Sequence, residues 1–162
     1  YNDGSAIPTD LSDAQWGGTT SGAVAAYGDD ESNVATYGRL YNYPAVLTGK
    51  LCPVGWHVPG STDWGALAYY IGVVVQVELG PSLKSSEDDV PSWDGTNSSG
   101  FSGLPGGQRL QDGTYQLIGD EGFWYVADDG STGRLVTGNS NLFGQTGNPA
   151  EGQSIRCIKD FD

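Results

Sequence analysis

The chain has no methionine, two cysteines, one histidine and only seven basic residues among 162. Each scarcity closes off a class of function. Twenty acids against those seven bases give a formal net charge of −13, which repels phosphate backbones and anionic membrane surfaces, so nucleic acid is excluded as a default partner. The single histidine, His57 in Gly-Trp-His-Val-Pro, leaves no second imidazole for a zinc site of the usual type. No nucleophile and orienting carboxylate stand beside it in a triad pattern, and it reads as structural. The longest apolar run, Tyr69 to Val75, is far short of the ~20 residues that cross a bilayer. Membrane insertion is therefore not expected. No basic and apolar leader stands at Tyr1, so any targeting segment is expected to lie outside the sequence.

What is present is glycine, 26 of 162 residues, against about 7% on average. Charged residues are 17%, so the surface is polar mainly through Gly, Asn, Ser and Thr. Five Trp, nine Tyr and four Phe supply enough large apolar surface for a core and separate the chain from disordered acidic segments. The length suits one domain spanning residues 1–162. Cys52 and Cys157 lie in neither a CxxC nor a His-rich cluster. They form either a disulfide, the preferred reading, or a pair of reduced buried thiols. A bridge would imply an oxidising compartment.

Residues 1–31 are rich in Gly, Ser, Thr and Asp and read as extended loops with one or two short edge strands. Pro44 suits the first turn of a short helix ending at Leu47. After Pro59-Gly60, Ser61 or Thr62 can cap a helix with Asp63 in its first turn. Trp64, Leu67, Ala68 and Ile71 then recur at helical spacing, and the helix stops at Gly72 or runs on to Val75 or beyond. Turn signals dominate Gly80 to Gly113, which reads as a long irregular insertion pinned by Trp93, Phe101 and Leu104. Strand-prone runs follow at Tyr115–Ile118, Phe123–Val126, Arg134–Thr137 and Ser154–Lys159. The sum is an α+β domain with helices early and an antiparallel sheet late.

Six segments then carry a resemblance. Tyr-Gly-Arg-Leu-Tyr-Asn (Tyr37 to Asn42), Cys-Pro-Val-Gly-Trp-His-Val-Pro (Cys52 to Pro59) and the following Thr-Asp-Trp-Gly-Ala-Leu come first. Gly-Phe-Ser-Gly-Leu-Pro-Gly-Gly-Gln-Arg (Gly100 to Arg109), Gly-Phe-Trp (Gly122 to Trp124) and Ser-Ile-Arg-Cys-Ile-Lys-Asp (Ser154 to Asp160) follow in order. Together these resemble the Fibrobacter succinogenes major paralogous domain over Tyr27 to Asp160. The N-terminus departs from the family, since only the loosely similar Ile7 to Trp16 stands where a Trp-Met-Ala-Glu-Asn-Leu-like strand is usual. The resemblance implies a C-type-lectin-like fold: N- and C-terminal strands that meet, two helices packed on a small antiparallel sheet, and long irregular loops presenting a binding face. It also strengthens the pairing of Cys52 with Cys157.

Relatives on this fold serve as variable proteins of diversity-generating retroelements, in which adenine-directed mutagenesis randomises late codons. The equivalent window here is residues 124–154. Its candidate contacts are Trp124, Tyr125, Arg134 and Val136 in strand-prone runs and Ala127, Asp128, Asp129 and Ser131 in a turn. Asn139, Ser140, Asn141, Phe143, Gln145 and Asn148 complete the set in the loop beyond. Trp124, inside Gly-Phe-Trp, is expected to pack in the core or floor a pocket. Tyr125 and Phe143, beside Gly, Asn and Asp, are the better expected contacts. Arg134 is expected to pair locally with Asp128 or Asp129, or else to meet an acidic ligand group.

No aromatic-flanked carboxylate pair suggests glycoside hydrolysis, and no enzyme is expected. Asp29-Asp30-Glu31 and Asp128-Asp129 could supply oxygens to calcium, although neither loop has EF-hand spacing. The Glu-Pro-Asn and Trp-Asn-Asp motifs of sugar-binding lectins are missing, with only Asn148-Pro149-Ala150 present. That disfavours calcium-bridged sugar recognition and leaves a structural calcium open, with no other cofactor expected. The expected function is a non-enzymatic receptor-recognition domain on a cell or virion surface or otherwise extracellular. Its expected partner is a protein or glycan on another cell or particle. The alternative is a secreted or surface structural or adhesion module with fixed contacts.

Overall fold

A computed structural model describes residues 1–161. Elements are short because turn residues interrupt every run. The first is α1 (Asp13–Gly18), started by a reciprocal cap in which Ser12 and Gln15 bond each other's backbone N–H. It buries Trp16 completely, so residues 1–31 are not merely loops: they carry one wall of the core. The Arg109 guanidinium lies 4.5 Å from the Trp16 ring centre and donates to the Leu11 and Gly113 carbonyls. Next come β1 (Val24–Ala25), α2 (Val34–Tyr37), β2 (Leu40–Tyr41) and α3 (Tyr43–Leu47). Asn42 caps α3 and Pro44 occupies its first turn, as its position suggested.

Strand β3 (Trp56–His57) leads into α4 (Ser61–Tyr69). Gly60, rather than Ser61 or Thr62, takes the cap position. Its N–H donates to the Asp63 carboxylate at 2.9 Å. The apolar run carries the helix past Gly72 as a wider-wound π-helical segment, Tyr70–Val75, that ends at left-handed Gln76. Two elements lie inside the stretch expected to be irregular. They are α5 (Leu79–Leu83) and β4 (Gly106–Arg109).

The main sheet adds β5 (Tyr115–Ile118), β6 (Glu121–Tyr125), β7 (Thr132–Val136) and β8 (Phe143–Gln145) in the order β5-β4-β6-β7-β8. It is mixed rather than antiparallel, because β4 runs parallel to β6. Among the described residues there are five short α-helices rather than two. Of Ser154–Lys159 only β9 (Ile158–Lys159) pairs as a strand, against β3. The C-terminal strand thus meets β3, while β1 pairs with β2. A bridge from Tyr41 to Gln153 ties the early and late chain together.

Among the described residues three apolar clusters hold the domain. The largest joins Trp64, Ile71, Leu83, Trp93, Trp124, Val126 and Leu135, and thereby locks α4 and α5 to one face of β6 and β7. The second joins Tyr43, Val46, Cys52, Val58 and Tyr125, and the third Trp16, Ala23 and Ala25. Cys52 and Cys157 form a disulfide with 5.7 Å between their Cα atoms.

Candidate functional site

Residues 124–154 fold mainly into the β6–β7–β8 edge of the sheet. Register decides which of them can meet a partner. Arg134 sits between Phe123 and Phe143, and Thr132 between Tyr125 and Gln145. Because strand side chains alternate, Arg134, Val136, Phe143 and Gln145 share one face. The opposite face carries Trp124 and Leu135 into the core. Beside the hairpin, a cavity of about 140 Å³ opens between Trp64, Leu142 and Phe143. Asn139, Ser140 and Asn141 form the connecting loop, whose tip at Ser140 and Asn141 is exposed. Here the backbone is pinned: the Gly80 N–H donates to the Ser140 carbonyl at 2.8 Å, and Lys84 Nζ donates to the carbonyls of Val136 and Asn139.

Several expected contacts have other duties. Tyr125 is 1% exposed, and its single hydroxyl hydrogen is shared between the carbonyls of Glu151 and Asn148. Burial pushes that hydroxyl well above the usual tyrosine range. The polar neighbours in sequence fold away from it while Tyr43 and Cys52 pack over it, so Tyr125 is a core residue and not a contact. Trp124 is buried as well, in line with its place in Gly-Phe-Trp.

Asp128 accepts from the backbone N–H and hydroxyl of Ser61, capping α4 from across the chain. Those bonds hold its carboxyl below the usual range. Asp129 accepts from the Ser131 N–H. Ala127 and Ser131 are half-buried. Asn148 closes its own loop through Ala150 N–H and donates to Gln111.

Arg134 pairs with neither Asp128 nor Asp129. Its partner is Glu121, two-pronged, with the Glu121 side chain 7% exposed. In the sequence Glu121 stands in a turn-rich Gly-Asp-Glu-Gly stretch that carries no site signal. The pairing follows from the β6–β7 register, which sets Glu121 opposite Val136 and Phe123 opposite Arg134.

The acidic loops are similarly committed. Asp29 accepts from the Tyr115 hydroxyl at 2.6 Å, Asp30 caps Ser32, and Glu31 binds Arg39 through both oxygens. Among the described residues no three His, Cys, Asp or Glu side chains converge as a cation site. His57 bridges elements: Nδ1 lies 2.6 Å from Asp160 and Nε2 3.2 Å from Asp63. These two carboxylates, Asp160 first, raise its pKa above the ordinary histidine value. Among the described residues, no helix is long and apolar enough to cross a membrane.

The arrangement is that of a disulfide-closed α+β domain offering a half-exposed edge hairpin above a fixed core. The chain matches the Fibrobacter succinogenes major domain over residues 1–159 and belongs to that family. The match reaches the N-terminus, beyond the Tyr27 start suggested by the motifs. No match is found among curated proteins or among solved structures.

Proposed function

We propose that this domain is a non-enzymatic recognition module on a C-type-lectin-like scaffold, displaying the β7–β8 hairpin to a protein or glycan on another cell or particle. The observation that carries the reading is the division of labour across one hairpin. One face is held by Trp124 and Leu135, while Val136, Phe143 and Gln145 with the Asn141 tip can change without disturbing that core. An aromatic anchor among adaptable polar groups is the composition of a paratope. The disulfide supports an extracellular or surface setting.

The test is a combined variant, Val136→Ala, Asn141→Ala, Phe143→Ala and Gln145→Ala. Its melting temperature is expected to fall by no more than about 4 °C, while binding to partner cells or a glycan array is lost. Retained binding would assign the domain to the structural or adhesion class instead. Diversification by a retroelement belongs to the same proposal. It predicts a nearby DNA copy of the segment encoding residues 124–154 that differs only at adenines, beside a reverse transcriptase gene. A locus without that copy would leave a recognition module with fixed specificity.

A further inference from the structure

In a chain this acidic, most cations already have partners. Arg39 pairs with Glu31, Arg109 with Asp13 and Asp29, Arg134 with Glu121, Lys50 with Asp3, and Lys84 with Asp94. Arg156 is the arginine that meets no carboxylate among the described residues. It is half-buried, with its guanidinium 4.2 Å from the centre of the Phe101 ring. One Nη2 hydrogen goes to the Phe101 carbonyl at 2.7 Å. Its remaining N–H groups have no partner among the described residues. Burial alone holds its pKa below the ordinary arginine value, with no nearby acid to raise it.

Arg156 is among the residues lining two cavities. One, of about 240 Å³, has walls of Pro59, Trp64, Leu67, Phe101 and Ile158. The other, of about 260 Å³, includes Tyr37, Ser102 and Ser154. In the apolar cavity the second charged group is Asp63, which is already engaged by the Gly60 N–H and by His57. The Trp64 indole N–H, in the same wall residue, is buried without a partner.

We propose that the cavity formed by Trp64, Leu67 and Phe101 binds a small aromatic or aliphatic carboxylate, with its anionic end on Arg156. A guanidinium presents a planar fork that matches a carboxylate, and this one is already partly desolvated, so pairing repeats only part of that cost. The apolar walls favour a hydrocarbon body over a neutral sugar, whose hydroxyls would lack partners there. A doubly charged phosphate would face one cation inside a strongly negative molecule. The volume lies below the roughly 300–1,000 Å³ of drug-sized sites, which limits the body to about one ring.

The site does not depend on the hairpin reading, since none of Val136, Asn141, Phe143 or Gln145 lines it. The experiment titrates the intact domain with phenylacetate, 3-phenylpropionate and hexanoate, each beside its neutral amide, using calorimetry and tryptophan fluorescence. At least one acid is expected to bind, and its amide at least about tenfold more weakly, because a hydrogen bond to a charged group is lost. Arg156→Gln is expected to remove that preference. Leu67→Phe, which narrows the cavity and leaves Arg156 in place, should weaken acid and amide together. The hairpin variant should bind the acid as the parent does. Absence of binding by all three acids, or equal affinity for acid and amide, overturns the proposal. So does an Arg156→Gln variant that folds and keeps the preference.

Discussion

At the scale of single residues, an ion pair decides which changes the candidate face tolerates. Arg134 lies on that face and is 33% exposed, yet its guanidinium neutralises a Glu121 side chain that is 7% exposed. Removing the arginine strands the carboxylate, a loss that costs ~3–5 kcal/mol where both partners are fully buried. With Arg134 partly in water, the expected loss for Arg134→Ala is about 2–3 kcal/mol, read by urea unfolding. Adding Glu121→Gln should return much of it, because a neutral amide is cheaper to leave in that position. If the single variant is as stable as the parent, the pair has no structural role and Arg134 is free to serve a ligand. Tyr125 is governed by similar logic: its hydroxyl, held between two backbone carbonyls, makes it part of the wall that supports the face.

Among elements, the junction of β3, α4 and β9 is held by His57, with Asp160 beyond the end of β9 and Asp63 in the first turn of α4. Both carboxylates favour the imidazolium, so the folded pKa lies above the unfolded one. The contribution is therefore complete below the unfolded value near 6.5 and fades as pH rises through the raised folded value. Melting temperature followed from pH 5 to 9, roughly the range in which histidine titrates, should fall across that upper interval in the parent. His57→Gln should flatten the profile. An identical pH profile in both proteins would show that the junction does not depend on the charge.

This element-level view also explains what could be read in advance. The helix at Ser61 announces itself by periodicity, and the strands at Tyr115, Phe123 and Arg134 by β-prone residues between turn signals. Strand β4 does not, because its Pro105-Gly106-Gly107 start has the composition of a turn. Gly107 has φ +65°, and a Cβ there would lie 2.5 Å from the Gln116 carbonyl oxygen. At its parallel partner Gly122 a Cβ would meet the Leu104 carbonyl oxygen at 2.6 Å. Here glycine marks close approach of backbones, and only the fold shows this. The window 124–154 is marked out by the resemblance alone, and within it the burial of Tyr125 follows from register and long-range packing that local composition does not encode.

For the molecule as a whole, the largest single constraint is the disulfide, which spans 105 positions from the β3 approach to the β9 approach. In the chain-entropy model a closed loop of that size stabilises by up to ~4.7 kcal/mol. Cys52→Ala with Cys157→Ala should lower the melting temperature by roughly 10 °C, given ~2–4 °C per kcal/mol for a domain of this size. The net charge of −13 adds a second component. An unfolded chain that stays cross-linked keeps its carboxylates closer together than an open one. Self-repulsion therefore penalises the cross-linked unfolded state more. That repulsion is long-ranged at about 0.01 M salt, where the screening length is ~30 Å, and weak at 0.15 M, where it is ~8 Å. The difference in melting temperature between parent and double variant should accordingly be larger at low salt. Scanning calorimetry at both salt concentrations measures it. A salt-independent difference would leave loop entropy as the only source of the stabilisation, and no difference at either concentration would mean that the packing around Cys52 holds the closed form without the bridge.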